Sequence, residues 1–559
     1  MILGINPGVF GLNYHDPSIC LLDENEIIFA IEEERLNGIK HSRGIFPHNA
    51  VKECCRIATE RGSEITEIAI GHQPKLWQNR NQSEDFVTSA DPRMLLSAKV
   101  RQLCNLGKAK VTFYEHHKTH AASAFYCSGF DSALCVVLDG AGELSSASVW
   151  LADADGIKKL DEIKMPNSLG YFYAQATAFS GFEPWNEEGK LMALAPYGTS
   201  DSAIEKCLHQ FFDDDFTYNI SSLVEPCLSN GFLLDVTKSN ALFTGVFGFP
   251  PRKKDEEITK KYMDFAYGVQ YYTERAVEQY IRKWLNITGE VNLCGAGGLF
   301  MNCKMNGYLR DTLPIDKLFV QPVAGDAGTA LGAAFLRRAE MFSKSTVALK
   351  DLSLGLAFSN DTILKTLEHR KCNYTYSENI ARDTAFMLSE GKIVAWFQGH
   401  CELGSRALCH RSILSAPKPI SVSDEINARI KHRELWRPFA CSMLEEYANE
   451  ILENYQKSQQ PNYMIEAFVV KENWRVEMEA VIHRNDFTTR PQVIRPQGRN
   501  KLIHEMLVHF YELTGSPMIL NTSFNDKGQP IITTPDQAID FFDSHDIDAL
   551  SIGNYILRK

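Results

Sequence analysis

The feature that most constrains this fold is a plan that occurs twice: an apolar strand, a glycine-bearing turn and a second strand. The chain opens with MILGIN, passes through the turn-prone PGVFGLNYHDPS, and continues as ICLLD, ENE and IIFAIEEERL. The stretch SALCVVLDGAGELSSASVWLAD repeats the plan around the turn Asp139-Gly140-Ala141-Gly142. Apolar runs separated by Gly- and Asn-rich turns predict strand hairpins. Two later stretches each lead a strand through glycines into a helix. VNLCGAGGLFMNCKMNG is one, and VQPVAGDAGTALGAAFLRRAEMF, with its helix starting near Asp326, is the other. Repetition on this scale predicts an α/β class with a duplicated core.

At 559 residues the chain exceeds what one hydrophobic core usually supports, so more than one domain is expected. The pattern weakens through SKSTVALKDLSLGLAFSND, which puts a boundary between 345 and 360 and predicts domains 1–350 and 351–559. A net charge of −12 disfavours a broad nucleic-acid or anionic-membrane footprint, while leaving room for a local cluster of arginines around a small anion. Fourteen cysteines are scattered without a CxxC pair, which fits reduced thiols. There is neither a basic leader with an apolar core nor an apolar run near the ~20 residues of a membrane span. A soluble, cytoplasmic protein with no nucleic-acid or membrane partner is expected.

Within YEHHKTHAASAFY, His116 and His120 are four residues apart and share one helix face, whereas His117 points roughly 100° away. Two such histidines can hold an ion from one side. A transition metal requires further ligands, for which Asp139 and Asp326 at strand ends are the best candidates. The alternative is a pair that caps or packs the helix. An HExxH metalloprotease site is disfavoured, since its glutamate position is occupied by His117. The second half gathers Arg406, Arg411, Lys431, Arg433, Arg437 and Arg490. Guanidinium forks match phosphate oxygens, and RALCHRSIL and LWRPFA set arginines among apolar residues, where a buried charge needs an anion. Lys431 and Arg433, flanked by His432 and Glu434, also suit a solvated face.

Together these segments resemble the O-carbamoyltransferases that tailor antibiotics and nodulation factors. The resemblance runs through YHDPS, EEER, KHSRGIFP, EHHKTHAASAFY, VVLDGAGE, EEGKLMALAPYG, GAGGLFMNCKMNG and AGDAGTALGAAF. It continues through ELGSRALCHRSIL, INARIKHRELWRPFA, TTRPQV and LNTSFNDKGQPI. It implies an N-terminal actin-like (ASKHA, TsaD-like) domain and a C-terminal YrdC-like α/β domain. ATP and carbamoyl phosphate would form carbamoyladenylate in the latter, and the former would pass the carbamoyl group to a hydroxyl of a small-molecule acceptor. The resemblance also implies Fe²⁺ or another divalent transition metal on His116, His120, Asp139 and Asp326, and His15 as the active-site histidine. It assigns Arg406, Lys431, Arg437, Arg490, Ser523 and Asn525 to carbamoyl phosphate and ATP, and Gly142, Gly297, Gly298 and Asn302 to the nucleotide end of the N-terminal domain. Mg²⁺ beside ATP and a homodimer are compatible with it.

The chain departs from the family pattern at several positions. Ser405 stands for a proline, Cys409 for a glycine, Phe487 for the glycine of a DGT turn, and His400 for an arginine. Two rivals remain at this level: a threonylcarbamoyl-tRNA type of modifying enzyme, and a non-catalytic nucleotide-binding regulator.

Overall fold

The structure, a computed structural model, describes residues 1–8, 15–73, 92–229, 232–342, 346–459 and 461–559. Residues 9–14, the middle of the first predicted turn, lie outside this set. The chain divides into two compact units, Met1–Ile28 with Ser42–Ala348, and Phe29–His41 with Leu349–Lys559.

The first unit is built on two sheets with one connectivity. In the first, β1 (Ile2–Asn6), β2 (Ser18–Leu22), β3 (Ile27–Glu32, which is counted with the second unit from Phe29 on), β4 (Glu67–Ile70) and β5 (Lys110–Phe113) take the order β3-β2-β1-β4-β5. In the second, β6 (Ala133–Gly142), β7 (Ser145–Asp153), β8 (Gly156–Lys164), β9 (Asn292–Ala296) and β10 (Lys317–Val320) take the order β8-β7-β6-β9-β10. In each, the first strand pairs antiparallel with the second and parallel with the fourth, and the fourth pairs parallel with the fifth. The duplication read from the two glycine-turn stretches is therefore present as repeated topology.

A helix follows the fifth strand of each sheet: His116–Ser128 after β5, and Thr329–Met341 after β10 by way of the 3₁₀ turn Asp326–Gly328. The two helices pack at backbone distance. A Cβ on Gly332 would stand 1.8 Å from the Thr119 carbonyl oxygen, so no other residue fits there. The helix His116–Ser128 is buried on all its faces except at Lys118, because Ala121, Ala122, Ser123 and Ala124 are small enough for neighbours to close around it.

The second unit has one mixed eight-stranded sheet. Its strands are β11 (Thr375–Tyr376), β12 (Val394–Phe397), β13 (Arg411–Ser415), β14 (Ala440–Leu444), β15 (Gln492–Ile494), β16 (Met518–Ser523), β17 (Ala549–Ile552) and β18 (Tyr555–Arg558). They run in the order β11-β18-β17-β12-β13-β16-β14-β15. Period-two alternation splits the core between the faces: Ala395, Phe397 and Ile413 enter one apolar cluster, and Val394, Trp396 and Leu414 the other.

The segment Phe29–His41 is counted with this second unit, where the sequence suggests an unbroken domain over 1–350. The physical cause is local. The Ala30 amide donates to Leu354 O, and Glu32 and Arg35 bind the backbone of Gly404. Among the described residues no helix is long and apolar enough to cross a membrane.

Candidate metal centre and anion site

The first unit brings four of the sequence candidates together. The nitrogen or oxygen ligand atoms of His116, His120, Asp139 and Asp326 all lie within 4.8 Å of one another. The two Nε2 atoms are 3.1 Å apart. His116 Nε2 is 3.3 Å from Asp139 Oδ2 and 3.5 Å from Asp326 Oδ1, and His120 Nε2 is 4.0 and 3.7 Å from the same oxygens. Ligands about 2.1 Å from one ion at tetrahedral or octahedral angles stand about 3.0–3.4 Å apart. The quartet is thus near the edge lengths of a coordination polyhedron. Two imidazole nitrogens and two carboxylate oxygens suit a divalent transition metal.

Local structure explains the convergence. Helical spacing brings the two imidazoles together edge to face, and the Gly298 amide donates to Asp139 Oδ1 at 3.1 Å, which leaves Oδ2 turned to the histidines. Gly142 gives them room: a Cβ there would lie 2.4 Å from His117 Cδ2 and 2.5 Å from His116 Cδ2. Charge is arranged to match. Burial opposes protonation of His116, but Asp326 and Asp139 outweigh it and lift its pKa to about 10. Burial likewise opposes ionisation of both carboxyls, yet the histidines hold them below the ordinary carboxylate range.

In the second unit, Lys431 is buried at the end of β16. Its Nζ donates to Ser523 O, to Asn525 O at 2.8 Å and to Asn525 Oδ1 at 3.1 Å, and Ser523 Oγ reaches that same Oδ1 at 2.5 Å. Burial, followed by the charges of Arg433 and Arg437, holds the Lys431 pKa well below its ordinary value. Arg433 is lowered by burial, Arg437 and Arg490. Several cations thus press on one another in a place poor in water, the condition that a multiply charged anion relieves. Arg406 is half-buried on the loop before β13, and the next residue, Ala407, accepts from Asn521 Nδ2 at 3.2 Å. Asn521 shares β16 with Ser523, so the loop and the lysine site are tied to one strand.

Against this geometry, two family models match the chain: Carbamoyltransferase N-terminus over residues 2–335 and Carbamoyltransferase C-terminus over 385–559. The chain belongs to the carbamoyltransferase family. Nodulation protein NolNO of Sinorhizobium fredii is 32% identical over 98% of this chain and 79% of its own length. Nodulation protein NolO of Bradyrhizobium diazoefficiens is 33% identical over 79% of this chain and 78% of its own. An uncharacterized Synechocystis protein is 31% identical over 98% and 95%. The chain is therefore an enzyme of carbamoyl transfer.

Other predicted residues of this carbamoyltransferase stand in less direct positions. His15 is a third exposed and its Nδ1 lies 2.8 Å from Asp16 Oδ2. Burial works against its charge, but Asp16 and then Asp326 raise its pKa to about 9, so the imidazolium form is favoured at neutral pH. Gly297, at φ 95°, faces Leu138, whose carbonyl oxygen would be 2.3 Å from a Cβ. Asn302 caps the helix Cys303–Thr312 by accepting from the Met305 amide, and its own amide pairs with Gln270 at 2.9 Å, so its polar atoms are engaged inside the fold.

Two residues beside the metal candidates, His72 and Glu143, are not singled out by the sequence, and Arg433 is singled out there without its surroundings being legible. The His72 ring stacks on that of His116 with centroids 4.7 Å apart. Glu143, buried in the DGAGE turn, accepts from the Gln73 amide, and burial raises its pKa to about 7. Arg433, equally compatible with a solvated helix face, is packed over the Phe439 ring and donates to Asn427 Oδ1. His117 is buried with Nδ1 2.9 Å from Ser148 Oγ, and burial lowers its pKa to about 3, so it is neutral and outside the quartet.

Proposed function

We propose that this enzyme is an O-carbamoyltransferase that uses carbamoyl phosphate and ATP in its second unit and transfers the carbamoyl group to a small-molecule hydroxyl at the first. The observation that carries the proposal is the buried Lys431, held by Ser523 and Asn525 in the field of Arg433 and Arg437. A site whose cations depress one another's protonation is built to bind a polyanion.

Water cleaves carbamoyl phosphate to carbamate and phosphate. A carbamate oxygen attacks the α-phosphorus of ATP, and pyrophosphate leaves with carbamoyladenylate formed. The acceptor hydroxyl then attacks the carbamoyl carbon, its proton is lost, and AMP departs with the bond electrons. In the second unit, Lys431, Arg406, Arg437 and Arg490 neutralise the phosphate oxygens, while Ser523 and Asn525 keep the lysine fixed. In the first, His116, His120, Asp139 and Asp326 would hold a divalent metal, which supplies Lewis acidity toward phosphate and carbamoyl oxygens. His15, once deprotonated, accepts the hydroxyl proton.

The test is carbamoyl-phosphate-dependent pyrophosphate release from ATP. Lys431→Ala is expected to lower it by at least ~100-fold, as loss of a transition-state charge partner does, with bound metal unchanged. Release at the wild-type rate from this variant would refute the assignment.

A further inference from the structure

We propose that the segment Phe29–His41 is a working part of the carbamoyl-activating unit, in which Glu32 and Arg35 are positioning residues that set Arg406 through Gly404. The inference rests on the proposed chemistry of that unit and adds to it a group of residues from the far end of the chain.

Both side chains are buried, and they hold the two peptide units that flank the Gly404 Cα. The Gly404 amide donates to Glu32 Oε1 at 2.7 Å, and Arg35 Nη2 donates to Gly404 O at 2.5 Å. Arg35 is itself fixed: its Nη1 lies 2.9 Å from Glu34 Oε1, which also receives Lys40 Nζ at 2.9 Å, while Glu34 Oε2 accepts from the His41 amide. Charge-assisted bonds to both the N–H and the C=O of one residue remove its freedom to rotate. Gly404 needs that restraint, because at φ 95° it occupies a region that glycine enters and leaves at little cost.

The other end of the loop is pinned separately. Glu402 Oε1 accepts from the amides of Leu408, His410 and Arg411 at 2.7, 2.9 and 3.1 Å. Between these anchors stand exposed Ser405 and then Arg406. The family proline at position 405 would stiffen this turn from within, and Ser405 does not. In this chain, stiffness comes from the Glu32 and Arg35 clamp.

The experiment is a double-mutant cycle on the full-length, metal-loaded enzyme. Arg35→Met is expected to raise KM for carbamoyl phosphate by ~10-fold or more with kcat within ~3-fold, since displacement of a binding group by about 1 Å has effects of this order. The variant Arg35→Met with Arg406→Ala is expected to be no worse than Arg406→Ala alone, an outcome that general destabilisation does not produce. Glu32→Gln, which keeps an oxygen for the Gly404 amide but loses its charge, is expected to raise the same KM by less than Arg35→Met does, and Glu32→Ala by a similar factor to Arg35→Met. Multiplying losses in the double variant overturn the inference. If Arg35→Met does not fold, Arg35→Lys is used in the same cycle, with a smaller loss and the same non-additivity expected. If the wild type releases no pyrophosphate, the proposed reaction falls. The clamp is then decided by calorimetric affinity for inorganic pyrophosphate in the same cycle, and independence of Arg35 and Arg406 there overturns it.

Discussion

His15 and Lys431 are perturbed in opposite senses for different reasons. Lys431 loses proton affinity because it is buried and, secondarily, because Arg433 and Arg437 are cations, whereas His15, despite the opposing effect of burial, gains it because Asp16 and Asp326 are anions. A folded-state pKa of about 9 for His15, above its ordinary 6.5, means that the folded chain holds the proton more tightly than the unfolded chain. The resulting stabilisation is complete below pH 6.5 and is lost as pH rises through 9. Asp16→Asn removes the main cause, and at φ 55° asparagine adds no backbone strain. In urea unfolding of metal-free protein, the wild type is expected to exceed Asp16→Asn in stability at pH 6, with the difference vanishing above pH 9.5; a constant difference would show that Asp16 acts without the histidine. At this scale the metal candidates were legible, because i,i+4 spacing and strand-end aspartates are local patterns. The burial of Arg433 was not, because it depends on Asn427, carried by the helical segment Ile426–Ile430, and on Phe439, which stands just before β14.

The loop Glu402–Arg411 shows what substitution at a turn costs an element. Cys409 has φ 64° and Phe487 φ 56°, and both stand where the family pattern has glycine. A left-handed L-residue costs about 1–2 kcal/mol. At Cys409 the cost is partly offset, because the thiol lies 3.1 Å from Ser442 Oγ and 3.2 Å from Asn521 Nδ2 and is fully enclosed. Cys409→Ala keeps the strain and loses the contacts; Cys409→Gly loses both. Thermal melts are therefore expected to find Cys409→Ala about 1–2 kcal/mol less stable than wild type, and Cys409→Gly within about 1 kcal/mol of it. The reverse order would mean that the turn is not strained. Strands and helix starts were readable from period-two apolar runs and glycine turns, but the all-round burial of His116–Ser128, His117 included, was not. The left-handed corner was visible only as a mismatch with the family motif, since nothing in the local composition marks Cys409 as a turn residue.

On the scale of the whole molecule, the chain is not two beads in sequence. Phe29–His41 leaves the first unit and is held by residues more than 300 positions away, through hydrogen bonds that periodicity and composition do not encode. The two candidate sites nevertheless draw on separate residues: the metal quartet lies wholly in the first unit and the lysine and arginine cluster wholly in the second. Damage to one should therefore leave the chemistry of the other. His120 is fully buried with its Nε2 facing His116 and both carboxylates, so His120→Ala removes one of the four candidate ligands and leaves a cavity. Loss of a ligand is expected to lower metal affinity by at least ~100-fold. Bound iron by elemental analysis should then fall to background and carbamoylated product should disappear, while carbamoyl-phosphate-dependent pyrophosphate release stays within ~3-fold of wild type. Full transfer activity in metal-free His120→Ala would remove the quartet from the reaction. Loss of pyrophosphate release together with metal would instead show that the two half-reactions are not separable by unit.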